Sequence, residues 1–138
     1  MTLSHDPHWL RAGNWLTEVS QADFAIVGVG ASKSALTPNN AHSTPAAVRS
    51  ALLRYSTWSL STKVDLADSL KGGDFGDVKS PDDQEATISE LSNLLNKTKT
   101  LVLIGGDNSI TYSGVLALAK KKDMKEIGVI TLDAHHDL

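Results

Sequence analysis

Three stretches of the chain are apolar almost without interruption, and each ends in glycine or an acid: Phe24-Ala-Ile-Val-Gly-Val-Gly30, Thr100-Leu-Val-Leu-Ile-Gly-Gly-Asp107 and Ile127-Gly-Val-Ile-Thr-Leu-Asp133. A strand with one wet face alternates apolar and polar residues. A continuous run suits a strand buried on both faces, as in a parallel sheet covered by helices. Helical periodicity separates the three runs. Thr44 followed by Pro45 reads as an N-cap and first helical position, with Val48, Ala51, Leu52 and Tyr55 on one face. Ser80-Pro81-Asp82-Asp83 starts a second helix, with acids where the helix dipole favours them. Its apolar stripe is Ile88, Leu91 and Leu95, and Lys97 and Lys99 lie at its basic end. A third helix runs from about Ser109 to Lys122, with Val115, Leu118 and Ala119 inward and Lys120 to Lys122 closing the last turn. A shorter helix is expected near Trp9 to Val19. Leu60 to Ser80, with Gly72, Gly73 and Gly76, reads as loop with one short edge strand near Lys63 to Leu66. Strand, helix, strand, helix, strand predicts an α/β domain with a mostly parallel sheet.

Composition narrows the function without choosing it. The 138 residues fit one domain, and an apolar fraction of 41% can fill a core. A formal net charge of −3 gives no support to a nucleic-acid footprint. The chain has no cysteine, which excludes disulfides and thiolate metal sites. Met1 to His8 lacks the basic and apolar regions of a secretion signal, and no apolar run nears the roughly 20 residues of a membrane span. A cytoplasmic enzyme acting on a small molecule is the expectation, with neither membrane nor nucleic acid as partner. The polar segment Ala31 to Thr44 follows the first strand. That places it at the sheet's C-terminal edge, where open α/β sheets hold ligands.

The chemistry concentrates in Asp133-Ala-His135-His136-Asp137. Side chains of an extended segment alternate, so Asp133, His135 and Asp137 point the same way and His136 points elsewhere. Two carboxylates and an imidazole are a ligand set for Mn²⁺, Zn²⁺ or Fe²⁺, with the carboxylate-rich version favouring Mn²⁺. A bound cation would also relieve the repulsion between two close carboxylates. Each residue taken singly is accounted for as a solvated loop group; the spacing at the end of a buried strand is what points to metal. Gly105-Gly106-Asp107-Asn108-Ser109 is a strand-to-helix turn in which Asp107, Asn108 or Ser109 can cap the helix. No lysine follows it, so it is not a phosphate loop, and Gly28-Val-Gly30 lacks the third glycine of a dinucleotide fingerprint.

Gly105-Gly106-Asp107-Asn108-Ser109-Ile110-Thr111 followed by Asp133-Ala-His135-His136-Asp137 resembles the ureohydrolase family, which includes arginase, agmatinase and formimidoylglutamase. Its members carry G-G-D-H-S and D-A-H-x-D motifs. Thr44-Pro45-Ala46-Ala47-Val48-Arg49 is similar to the family's P-x-x-[IV]-R helix, and Gly73-Asp74-Phe75-Gly76-Asp77 to its D-x-G-D segment. The resemblance covers most of the chain from about Asp23 onward. It implies a three-layer α/β/α sandwich around a mostly parallel sheet. It also implies two Mn²⁺ ions bridged by a hydroxide that attacks the carbon of a guanidinium or formimino group. By motif matching, Asp133, His135 and Asp137 would be metal ligands, and Asp137 would also act catalytically by accepting a hydrogen bond from the nucleophile. A homo-oligomer is implied as well.

Two departures qualify this. The histidine of G-G-D-H-S is Asn108 here, a neutral amide oxygen in a metal-ligand position, which predicts either a weakened or vacant metal position or a subgroup that tolerates Asn. Family members are also roughly twice as long, with a second aspartate motif, S-x-D-x-D-x-x-D-P, in their later half. Residues 1–138 are therefore expected to be the N-terminal half of one domain, an incomplete sandwich with part of the site and doubtful activity alone. The leading reading is a Mn-dependent hydrolase of a linear amidine C–N bond, in formimidoylglutamate, agmatine or a similar substrate. The loop Lys33 to His42 and the stretch Arg11 to Leu16 look more like the formimidoylglutamase and agmatinase branches than arginase. His42 itself reads as a solvated loop residue. The alternatives are a non-catalytic α/β module binding a metal or a partner, and an unrelated metal-dependent hydrolase with a coincidental D-x-H-x-D.

Overall fold

The computed structural model describes residue 6 and residues 8–133. In chain order these form α1 (Ala12–Trp15), β1 (Ala22–Val29), α2 (Thr44–Leu52), β2 (Trp58–Ser59), β3 (Val64–Asp65), α3 (Leu66–Ser69), β4 (Gly72–Asp77), α4 (Gln84–Leu94), β5 (Thr98–Gly105) and α5 (Ser109–Ala119). Strands β4, β1 and β5 make a parallel sheet in that order, with β1 in the middle. Strands β2 and β3 form a separate two-residue antiparallel ladder.

The central strand explains the layering. Along β1, Ala25, Val27 and Val29 lie on one face and are essentially sealed from water. Val27 and Val29 join Val78, Ile88, Leu91 and Ala117 in the main core, with Phe75, Leu101, Leu103, Ile110 and Leu116 packed around it. That face is covered by α4 and α5. The other face carries Phe24, Ile26 and Gly28. Trp15 stacks on Phe24 with ring centroids 6.4 Å apart. Ile26 lines a 260 Å³ cavity with Leu16, Leu52 and Leu53. This face is covered by α1 and α2, so the chain has the expected three-layer α/β/α arrangement around a parallel sheet. Fully burying each Val or Leu side chain contributes about 1.5–3 kcal/mol, which makes the α4/α5 side the main source of stability.

Several elements differ from the sequence pattern. Helix α4 begins at Gln84, later than Ser80 and Pro81 suggest, because Asp83 caps it by accepting a hydrogen bond from the Ala86 amide (3.0 Å). The inward side of α2 is Pro45, Val48, Arg49 and Leu52; Ala51 and Tyr55 are exposed. On α5 the buried positions are Ser113 and Ala117, with Ile110 and Leu116 beside them, while Val115, Leu118 and Ala119 are only half-buried. That helix is apolar on nearly every side, so periodicity could not pick its inner face.

The larger correction is β4. Its glycines read as loop, yet it is a full partner of β1, pairing Phe24 with Gly72 and Ile26 with Asp74. The glycines mark close approach. A Cβ on Gly72 would sit 2.6 Å from the Trp15 ring, and one on Gly73 would sit 2.6 Å from Val19 Cγ2. Conversely, the expected strand Ile127 to Asp133 forms no ladder over its described length, and Ile130 and Leu132 are about 90% and 98% exposed. Apolar content alone does not make a strand. The backbone needs a neighbour to pair with, and none of the described strands lies alongside it.

Candidate functional site

The tips of β1 and β5 lie side by side, Val29 opposite Gly105, at the C-terminal edge of the sheet. There the two following loops are knitted together through their backbones. The Ala31 and Gly106 amides both donate to the Val29 carbonyl (2.9 and 3.3 Å), and the Asp107 amide donates to the Ala31 carbonyl (2.8 Å). Gly106 makes this possible. A Cβ there would fall 2.6 Å from both the Ala31 nitrogen and the Val29 oxygen, which are backbone atoms with little room to yield.

Asp107 then fastens the loop after β1 through its side chain. One carboxylate oxygen accepts from the Ser34 amide (3.2 Å) and hydroxyl (2.8 Å). The other accepts from the Ser109 amide (3.1 Å) and hydroxyl (2.5 Å), capping α5. Burial works to raise this carboxyl's pKa, but the hydrogen bonds from Ser109 and Ser34 together outweigh it and hold the group below the usual carboxylate range. Asp82, from the loop after β4, holds the same segment from the other side. Its carboxylate accepts from the Ser32 (2.8 Å) and Lys33 (2.9 Å) amides, and these two bonds lower its pKa. The loop after the central strand is thus moored by carboxylates from beyond both flanking strands.

A cleft of about 420 Å³ opens against this loop, lined by Ser34, Ala35, Leu36, Asn39, Ala41, Gly106, Asp107 and Asn108. Asn108 occupies the N-cap position of α5, but its side chain makes no capping bond, since Asp107 does that work. Its amide is therefore available at an exposed position on the cleft wall. His42 sits in the 3₁₀ turn Ala41–Ser43 and is exposed. The P-x-x-V-R helix and the G-D-F-G-D strand meet beside this edge. Arg49 donates from Nε and Nη2 to the two oxygens of Asp74 (2.6 and 2.9 Å), from Nη2 to the Gly76 carbonyl (2.8 Å) and from Nη1 to Asp77 (2.6 Å). These carboxylates raise the Arg49 pKa further above its already high value.

Of the residues singled out for metal binding, Asn108 lies on the cleft wall and Asp133 is an exposed residue at the end of the described chain. His135, His136 and Asp137 fall outside the described residues. Among the described residues no cluster of three or more His, Asp or Glu side chains forms a metal site. Ser34 and Asp82 were missed from the sequence. Their roles come from backbone amides brought together over long sequence separations, and no local signal marks them.

A family model for the arginase family matches residues 22–138. The chain belongs to the arginase family. It is similar to a formimidoylglutamase of Halalkalibacterium halodurans, 36% identical over 122 residues, which cover 83% of this chain and 37% of that protein. Among solved structures, the formimidoylglutamase of Bacillus subtilis superposes with a TM-score of 0.75 at 22% identity, over 86% of this chain and 40% of that one. A formiminoglutamase of Trypanosoma cruzi, solved with Mn²⁺, gives a TM-score of 0.68 at 24% identity, over 81% and 40%. At those identities the structural likeness is one of fold. The chain spans about two-fifths of the length of these relatives. The expected α/β fold with a parallel sheet is the one these structures share with this chain. Among the described residues no helix is long and apolar enough to cross a membrane.

Proposed function

We propose that this chain is the N-terminal half of a single-domain, manganese-dependent amidine hydrolase of the formimidoylglutamase type. What carries the reading is the family match over residues 22–138 together with the closeness to a formimidoylglutamase. The cleft at the sheet's C-terminal edge, with the G-G-D-N-S turn on its wall, is consistent with it. Two carboxylates and one imidazole, from Asp133, His135 and Asp137, are donors suited to Mn²⁺, and the uncommitted amide of Asn108 fits as a weaker neutral oxygen ligand. Manganese, when bound, supplies Lewis-acid polarisation of the substrate and a lowered pKa for water. Asp137 then serves as the catalytic carboxylate, accepting a hydrogen bond from the attacking water. The moored loop carrying Ser34 forms one wall for a formimino or guanidino substrate. The protein acts in the cytoplasm as a homo-oligomer.

The test is a product assay on the full-length protein with added Mn²⁺. Formamide release from formimidoylglutamate is expected to exceed urea release from agmatine. Neither product rising above a chelator-treated control would reject the reading. Asn108→His is expected to tighten Mn²⁺ binding by about tenfold or more, because an imidazole replaces a neutral amide oxygen. No gain in a metal titration would remove Asn108 from the ligand set.

A further inference from the structure

We propose that a hollow at the opposite, N-terminal edge of the sheet, framed by Lys71, Lys97 and Lys99, binds a phosphate-bearing small molecule. The parallel sheet creates this place. Register sets Ala22 beside Thr98 and Phe24 beside Gly72, so the residues that open the three strands converge. Gln21, Asp23, Lys71, Asn96, Lys97 and Lys99 accordingly line one concavity of about 390 Å³. That size suits a small ligand and is too small for a duplex or a docked helix.

Its charge is opposite to that of the chain, which carries −3 overall. Asp23 is the one acid in the lining, and it is already engaged. One oxygen accepts from Lys99 Nζ (2.7 Å) and the other from the Lys71 amide (3.0 Å). The pair lowers the Asp23 pKa and raises that of Lys99. Among the described residues, Lys71 and Lys97 form no ion pair, although the Lys71 charge also helps to lower the Asp23 pKa, so the lining sets three lysines against one acid. Lys121, at the end of α5, donates to Asn96 Oδ1 and adds a further ammonium at the rim. The α4 carbonyl end accounts for a lysine at position 97, but not for Lys71 and Lys99, which arrive from two other strand starts. Ammonium groups and a side-chain amide around a small hollow are the donors that phosphate oxygens accept from. The hollow lies across the sheet from the cleft at Asn108, so such a ligand would not compete with a substrate there.

The test is calorimetric titration of the full-length protein with pyrophosphate, and separately with inorganic phosphate, at low ionic strength. We expect saturable one-to-one binding, tighter for pyrophosphate. The double substitution Lys71→Ala/Lys97→Ala should weaken it by about tenfold or more, as expected for losing charge-assisted bonds. Lys79→Ala/Lys125→Ala, the same charge change elsewhere, should leave it within about twofold. Unchanged thermal melting would show that both variants fold. Absence of saturable binding to either probe, or equal weakening by both double substitutions, would overturn the proposal.

Discussion

Replacing Arg49 should expose how the α2 face of the sheet is held. The guanidinium makes four hydrogen bonds, two of them a fork onto Asp74, and the Arg49 and Asp74 side chains are only 26% and 18% exposed. An exposed ion pair is worth about 0–1 kcal/mol, whereas removing one partner of a fully buried pair costs about 3–5 kcal/mol. With roughly a quarter of the arginine in water, Arg49→Met is expected to cost about 2–3 kcal/mol, chiefly from leaving Asp74 uncompensated against the strand. Asp77, which is 59% exposed, adds at most a few tenths. Lysine at position 49 should recover less than half, because it keeps the charge and loses the fork. Urea unfolding followed by tryptophan fluorescence would read the change as a shifted midpoint with an unchanged slope. Trp15, stacked on Phe24 in the same layer, supplies a local signal. In a double-mutant cycle with Asp74→Asn, a coupling of about 1–2 kcal/mol is expected. A loss below about 0.5 kcal/mol for Arg49→Met, or a cycle with no coupling, would refute this account of the clasp.

Gly106→Ala should cost about 1–3 kcal/mol, because its Cβ meets backbone on two sides, while Gly128→Ala, with nothing within 4 Å, should be nearly silent; equal effects in chemical denaturation would contradict the close-approach argument. The lowered pKa values of Asp82 and Asp107 mean that both carboxylates stabilise the fold fully above their ordinary value of 3.8, and that this contribution is lost as pH falls below it toward the folded-state values. The double variant Asp82→Asn/Asp107→Asn should therefore show a shallower fall in melting temperature than the parent on acidification below about pH 4, and parallel profiles would count against the mooring.

How much of this was legible in the chain differs from element to element. Ala25 to Val29 and the stripe Ile88, Leu91 could be read directly, because burial on both faces and helical spacing leave a one-dimensional trace. Gly72 and Gly73 misled, because a glycine allowing Trp15 and Val19 to lie on a strand is written with the same letter as one in a loop. The apolar pattern of α2 gave no place to Arg49, and what turns it inward is a pair of acids on a strand that was itself not anticipated. Ile127 to Asp133 had strand composition but joins no ladder among the described residues. At the site, the G-G-D-N-S turn and its place on the sheet edge were foreseeable, and Asp107 was a foreseeable cap. Its second oxygen, which reaches Ser34, was not, since that bond spans 73 positions. The D-x-H-x-D reading itself rests on His135 and Asp137, beyond the described residues.

The double anchorage of Ser32, Lys33 and Ser34 has a bearing on how a ligand arrives. To swing this segment aside, the protein would have to give up bonds to Asp82 and Asp107 at the same time, on opposite flanks. This part of the cleft wall is therefore set in shape by the fold itself. Any discrimination made by this stretch of wall should then follow molecular outline.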